Sequence, residues 1–310
     1  MIISASRRTD IPAYYWDWFL GRLNAGFVCV RNPRNPRSIS QISLDPSVVD
    51  GFVFWTKNPG PALNKLCGLR DFMYYFQFTL TGYGQDLEPG LPDKDQVLVP
   101  AFQRLSDLLG PKRVIWRYDP ILLTEKYTVD WHIRRYEQLA KALSPYTRRC
   151  VISFLDYYQG TARRLSPLSP IELTGETQRF LAKSISEIAR GLGLQVETCC
   201  ENIPLAEYGI RPGRCIDPRL FEELLQCPVD GAKDKNQRPN CGCMQSIDLG
   251  AYDTCQNGCL YCYANHSEKA LLLNVSRHDP ASPLLTGHIG PEDKINLRQM
   301  KPSAITQLMF

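Results

Sequence analysis

The chain has 310 residues, 44% hydrophobic and 22% charged, with 36 Lys plus Arg against 32 Asp plus Glu, a net charge of +4. This composition excludes an intrinsically disordered chain, offers no apolar run near the roughly 20 residues of a membrane helix, and neither points to nucleic acid nor excludes it. The N-terminus lacks the charged-then-apolar order of a secretory signal, so a cytoplasmic protein is expected, in which the 12 cysteines read first as metal ligands rather than disulfides.

In chain order, the apolar run Ile2–Ser6 predicts a strand, Tyr14–Asn24 a helix, and Phe27–Leu44 a hairpin interrupting the first unit. Strand–helix pairs follow at Phe52–Thr56 and Pro61–Leu66, Tyr74–Thr81 and Gln96–Leu109, Arg113–Tyr118 and Asp130–Leu143, and Cys150–Leu155 and Gly175–Leu192. Gln195–Cys200 is the last predicted strand. The strand runs are short, β-branched or aromatic, and apolar on both faces, as in a buried parallel sheet. The helices carry apolar residues three or four apart, and Gly110 and Gly193 stand at C-cap positions.

Serial βα units predict a parallel α/β sheet. Polar groups follow the strands: Arg7, Arg8 and Asp10, then Lys57 and Asn58, then Arg117 and Asp119, then Asp156, then Glu201. A barrel gathers such ends around one mouth. No Gly-rich phosphate loop follows the first strand, which counts against an open nucleotide-binding sheet. The expectation is a complete or partial TIM-like (β/α) barrel over residues 1–205, with a Cys-rich, cluster-binding region, 206–310, packed on its mouth. Any one of these charged residues also reads as a solvated loop residue, and Asp10 as a helix N-cap. As a set, Arg7, Arg8, Asp10, Lys57, Arg117, Asp119 and Glu201 are the candidate catalytic residues, suited to a small-molecule or nucleotide-like anionic substrate.

Cys29, Cys67 and Cys150 read as small buried hydrophobes. Cys255, Cys259 and Cys262 form C-x3-C-x2-C, a spacing that can hold three irons of a [4Fe–4S] cluster and leave the fourth open. Zinc is the rival, with Cys259 and Cys262 as one pair and Cys241 and Cys243 as the other. Cys215, Cys241 and Cys243 are the candidate ligands of a second, auxiliary site, with Gly242 letting the backbone fold tightly. Cys227 reads as core. Cys199 and Cys200, taken as strand residues, point to opposite faces, so at most one faces the interior. The four histidines form no Ser-His-Asp pattern and no H-E-x-x-H.

The C-x3-C-x2-C string resembles the signature of radical S-adenosylmethionine (SAM) enzymes, and the wider Gly258…Tyr-Cys-Tyr-Ala string is most similar to the cluster loop of the spore photoproduct lyase type. The resemblance implies SAM as cofactor, Tyr261 against its adenine, and an electron donor such as flavodoxin or ferredoxin; Asn58, at the end of the second predicted strand, is a further candidate cofactor contact. It also implies a nucleic acid lesion or modified nucleoside as one substrate option, although no basic tract interleaved with aromatics accompanies it. The whole chain resembles an uncharacterised prokaryotic family in which SRRTDIPA, FWTKNP, WRYDP and the terminal cysteine string occur together, here Ser6–Ala13, Phe54–Pro59, Trp116–Pro120 and Tyr252–Asn265. That family implies no assigned reaction.

Two features depart from radical SAM enzymes. Their cluster motif follows the first barrel strand, whereas here it follows the last, so either the barrel is permuted or a C-terminal arm folds over the mouth. Their Gly-Gly-Glu element is not recognisable. Two alternatives stay open: a non-radical barrel enzyme with a structural metal site, and an iron–sulfur electron carrier or redox sensor.

Overall fold

The structure is a computed structural model that describes residues 1–157 and 159–305; residues 306–310 of the expected C-terminal region lie outside the described residues. Strand β1 (Ile2–Ser4) leads into helices α1 (Ile11–Tyr14) and α2 (Trp16–Ala25), then the hairpin β2 (Phe27–Asn32) and β3 (Asn35–Ser43). After β4 (Gly51–Thr56) and β5 (Tyr74–Thr79) come α3 (Val99–Leu109), β6 (Val114–Ile121), α4 (Val129–Leu143), β7 (Arg149–Phe154), α5 (Gln159–Leu165), α6 (Gly175–Gly191) and β8 (Gln195–Thr198). The C-terminal part adds β9 (Arg211–Pro212), α7 (Pro218–Leu225), β10 (Ser246–Asp248), α8 (Glu268–Ser276) and β11 (Lys294–Leu297).

Eight strands form one parallel sheet in the order β10-β1-β4-β5-β6-β7-β8-β9. The edge strands β9 and β10 do not pair, so the sheet is open, and of the expected complete or partial barrel the complete, closed form is not present. The chain is a mixed α/β fold. The boundary expected at residue 205 falls between β8 and β9, inside this sheet, and β11 pairs with β3 in the small second sheet. Two-residue and three-residue strands such as β9 and β10 carry no periodicity to read, which is why sequence analysis misses them.

The two-residue period of the strands divides the core. On one face Phe52, Phe54, Phe76, Phe78, Trp116 and Ile152 pack against the helices in the main core. On the other, Ile2, Val53, Tyr75, Ile115 and Val151 form a second cluster with Phe221 of α7 and with Cys215, Cys243 and Met244. Helix α7 therefore covers the inner face, with the Tyr75 and Phe221 rings 5.2 Å apart. Further along the same face the residues turn polar: Gln77 on β5, Arg117 on β6 and Ser153 on β7 are all buried. A buried polar face needs partners, and these lie at the C-terminal ends of the strands.

Candidate active site and thiol clusters

The strand ends and the cysteine loop enclose one cavity of about 430 Å3. Arg7, Arg8 and Asp10 follow β1, Lys57 follows β4, and Arg117 and Asp119 lie on β6; all line it. Tyr261, Cys255, Cys259, Cys262, Cys215, Cys241 and Cys243 line it from the C-terminal part. Residues distant in sequence are thus brought together. Asn58 and Glu201 are not among the lining residues. The Asn58 side chain instead closes a turn, its Oδ1 accepting from Gly60 N at 3.0 Å. The Glu201 carboxylate accepts from Phe154 N at 2.9 Å. A larger cavity of about 1220 Å3 lies at the other end of the strands, around Arg148, Arg149, Gln195 and Arg211, and contains no thiol.

The loop carrying Cys255, Cys259 and Cys262 is closed at its base by Asp253 N donating to Ala264 O at 2.9 Å. His266 braces that base through Asp253 Oδ2, 2.9 Å from its Nδ1. Tyr15 OH donates to Thr254 O at 2.7 Å, and Asn257 Nδ2 to Asp10 Oδ2 at 3.0 Å. On the other side, Gly90 N donates to Asn257 O at 3.0 Å and Leu260 N to Leu87 O at 3.0 Å. A Cβ on Gly90 would stand 2.5 Å from Gln256 O, so only glycine lets the two backbones approach this closely. Gly258, with φ +65°, makes the left-handed turn between Cys255 and Cys259. Burial pushes the Cys255 thiol well up and the Cys259 thiol up to about 12, although Lys57 opposes the shift at Cys259.

Most of the charged groups are already engaged. Asp10 is an N-cap: Oδ1 accepts from Ala13 N at 3.1 Å and Oδ2 from Lys57 N at 2.7 Å, while burial raises its pKa. It ties α1, the end of β4 and the cysteine loop together, a positioning role. Arg8 holds Asp248, with Nη2 3.0 Å from Oδ1. Arg117 donates through Nη1 to Cys215 Sγ at 2.9 Å and pairs through Nη2 with Asp119, which also accepts from Ser153. Lys57 Nζ lies 2.8 Å from Glu88 Oε1 and 2.8 Å from the Tyr261 hydroxyl. Arg7 stacks over the Trp55 ring at 5.0 Å, and its buried Nη2 has no hydrogen-bond partner.

Two acidic anchors escape sequence reasoning. Glu88, fully buried, accepts from Lys57, Lys94, Thr81 and Tyr261. Burial alone would raise its pKa, but the two lysines outweigh burial and hold it at about 2. Asp248 accepts from Ser4 Oγ at 2.7 Å, Ser6 Oγ at 2.7 Å and Arg7 N at 2.9 Å. Glu88 sits in a loop that reads as polar surface, and Asp248 ends a strand too short to recognise.

Cys199 and Cys200 correct a reading. β8 ends at Thr198, Cys200 takes a left-handed φ of 62°, and the alternation that would send the two side chains to opposite faces is broken. Both line the cavity. Cys199 Sγ lies 3.4 Å from Cys215 Sγ. Cys215 in turn contacts Cys243, and Cys243 contacts Cys241, whose pKa falls to about 7 because Cys243 hydrogen-bonds to it.

Residues 2–264 match the family described as a domain of unknown function, DUF1848. The chain belongs to this family. No curated protein and no solved structure matches it. The DUF1848 description carries no reaction, so the chemistry rests on the site. Among the described residues, no three His, Cys, Asp or Glu side chains are arranged to hold a single metal ion. The C-terminal loop offers three thiols that line the cavity, Cys259 buried and Cys255 and Cys262 half-buried, a donor set of the kind that can ligate three irons of a cluster. No helix among the described residues is long and apolar enough to cross a membrane.

Proposed function

We propose that this DUF1848 chain is a radical SAM-type iron–sulfur enzyme. Cys255, Cys259 and Cys262 would hold a [4Fe–4S] cluster, SAM would take the open iron, and the substrate would be an anion in the shared cavity. The observation that carries this reading is where the loop starts. It follows β10, which is the last strand of the large sheet in sequence but pairs with β1 as the edge strand of that sheet. In spatial order the motif therefore follows the first strand, the position it has in the enzymes the loop resembles. The sheet would then be an incomplete barrel whose strand order is permuted in the chain.

A reduced cluster with SAM would supply one-electron chemistry here, the reductive cleavage of SAM to a radical able to take hydrogen from a substrate. The protein's own residues bind, orient and exclude water. The Tyr261 ring is held by its hydroxyl, bonded to Glu88 and Lys57, so that its face is fixed for an adenine. Glu88 with Lys57 and Lys94 forms a closed charge set, which leaves these lysines little role in binding an anion. Arg8 and Arg117 are likewise paired, with Asp248 and Asp119. The cationic contact for substrate would then be the guanidinium of Arg7, whose buried Nη2 has no hydrogen-bond partner and which stacks on Trp55.

The test is anaerobic reduction of the reconstituted protein with SAM, followed by chromatography for 5′-deoxyadenosine. Formation of 5′-deoxyadenosine that disappears in the Cys255→Ala, Cys259→Ala, Cys262→Ala variant is expected. Stoichiometric zinc with no iron uptake would contradict the reading.

A further inference from the structure

We propose that Cys199, Cys215, Cys241 and Cys243 form a second, fully protein-ligated four-thiolate metal centre that clasps the open seam of the sheet. It is independent of the Cys255–Cys262 loop and does not rest on the radical reading. The four thiols come from the segments beside the unpaired edges: Cys199 follows β8, Cys215 follows β9, and Cys241 and Cys243 precede β10. Across that seam Met244 N donates to Ile216 O at 3.1 Å and Ile216 N to Cys243 Sγ at 3.4 Å. A sheet that neither closes nor pairs its edges leaves backbone groups to be satisfied otherwise. A metal held from both sides would join the edges without a strand ladder.

The sulfurs run as a chain of contacts, Cys199 to Cys215 at 3.4 Å, then Cys243, then Cys241. No three of them surround a point that one ion fits, so they must separate around whatever they bind. Four thiolates on a centre of formal charge +2, zinc or a [4Fe–4S] unit alike, leave two negative charges. Two guanidiniums face them: Arg117 Nη1 lies 2.9 Å from Cys215 Sγ, and Arg7 is an electrostatic neighbour of Cys243 and Cys215. With every coordination position filled by protein, the centre would be structural or relay electrons, whereas the open position belongs to the first loop.

The test uses full-length protein carrying Cys255→Ala, Cys259→Ala and Cys262→Ala, offered either Zn2+ or iron with sulfide under argon. About one zinc, or about four irons with four sulfides, per chain is expected. Loading should raise the thermal midpoint by several degrees, since metal binds only the folded seam. Adding Cys199→Ser should weaken metal binding by at least about tenfold and remove that rise. Cys67→Ser should change neither, since Cys67, expected from the sequence to be buried like Cys29 and Cys150, is exposed. In the unsubstituted chain, metal should protect Cys199, Cys215, Cys241 and Cys243 from alkylation, a readout that does not depend on any variant folding. Absence of stoichiometric metal in the triple variant, or equal alkylation of Cys199 with and without metal, would overturn the proposal and leave the radical reading standing. Metal retained in the triple variant and equal to that of the unsubstituted chain would support the seam centre and sink the cluster at Cys255, Cys259 and Cys262 instead.

Discussion

Glu88 and Glu201 are two carboxylates pushed in opposite directions. Glu88 is held ionised by Lys57 and Lys94 in a site with no solvent exposure. Replacing it by Ala strands two lysines beside each other, and breaking a buried ion pair in this way costs about 3–5 kcal/mol. Equilibrium unfolding in urea at neutral pH should report that loss, together with reduced order at Tyr261. Glu201 has its pKa raised from 4.5 to about 7 by burial, with Asp156 and Asp119 adding to the shift. Its folded-state pKa exceeds its unfolded one, so its stabilising contribution is full below about 4.5 and lost as the pH rises through about 7. Unfolding free energy measured across that window should fall with pH, and Glu201→Gln should flatten the slope; an unchanged slope would mean another group is responsible.

At the scale of elements, the cysteine loop is set by its neighbours more than by its own residues. The Leu87–Gly90 segment touches it backbone to backbone, with Gly90 N bonded to Asn257 O. Gly90→Ala puts a Cβ 2.5 Å from Gln256 O and 2.8 Å from Asn257 O, and overpacking of this kind costs about 1–3 kcal/mol. The variant should stay folded by circular dichroism yet take up less iron than the unsubstituted chain. Helix α7 presents a different dependence. Phe221 is fully buried between α7 and the inner face of the sheet, against Tyr75. Phe221→Ala should cost about 3–5 kcal/mol, read by denaturant titration. A loss under 1 kcal/mol would show that α7 is not a load on the inner face of the sheet.

For the whole molecule, what the sequence disclosed follows from the physics of each signal. Strands β4, β5, β6 and β7 are legible because both their faces are buried, which writes a largely continuous apolar run into the chain. The meeting of strand ends and cysteine loop in one cavity was foreseeable from the polar residues that follow each strand. Closure was not: an open sheet and a closed barrel share the same strand–helix alternation, and only the pairing of β9 and β10 distinguishes them. Cys199 was hidden because its direction depends on where β8 ends, and Arg8 and Lys57 looked like substrate contacts because Asp248 and Glu88, their partners, lie far away in sequence. The central claim is that the Cys255, Cys259 and Cys262 loop presents an open iron to this cavity. Electron paramagnetic resonance of the anaerobically reconstituted, reduced protein tests it most directly. A [4Fe–4S]+ component that shifts when SAM is added, and that is lost in the triple cysteine variant, is the predicted result; a spectrum with no SAM-responsive component, or one whose SAM response survives removal of the three cysteines, would contradict it.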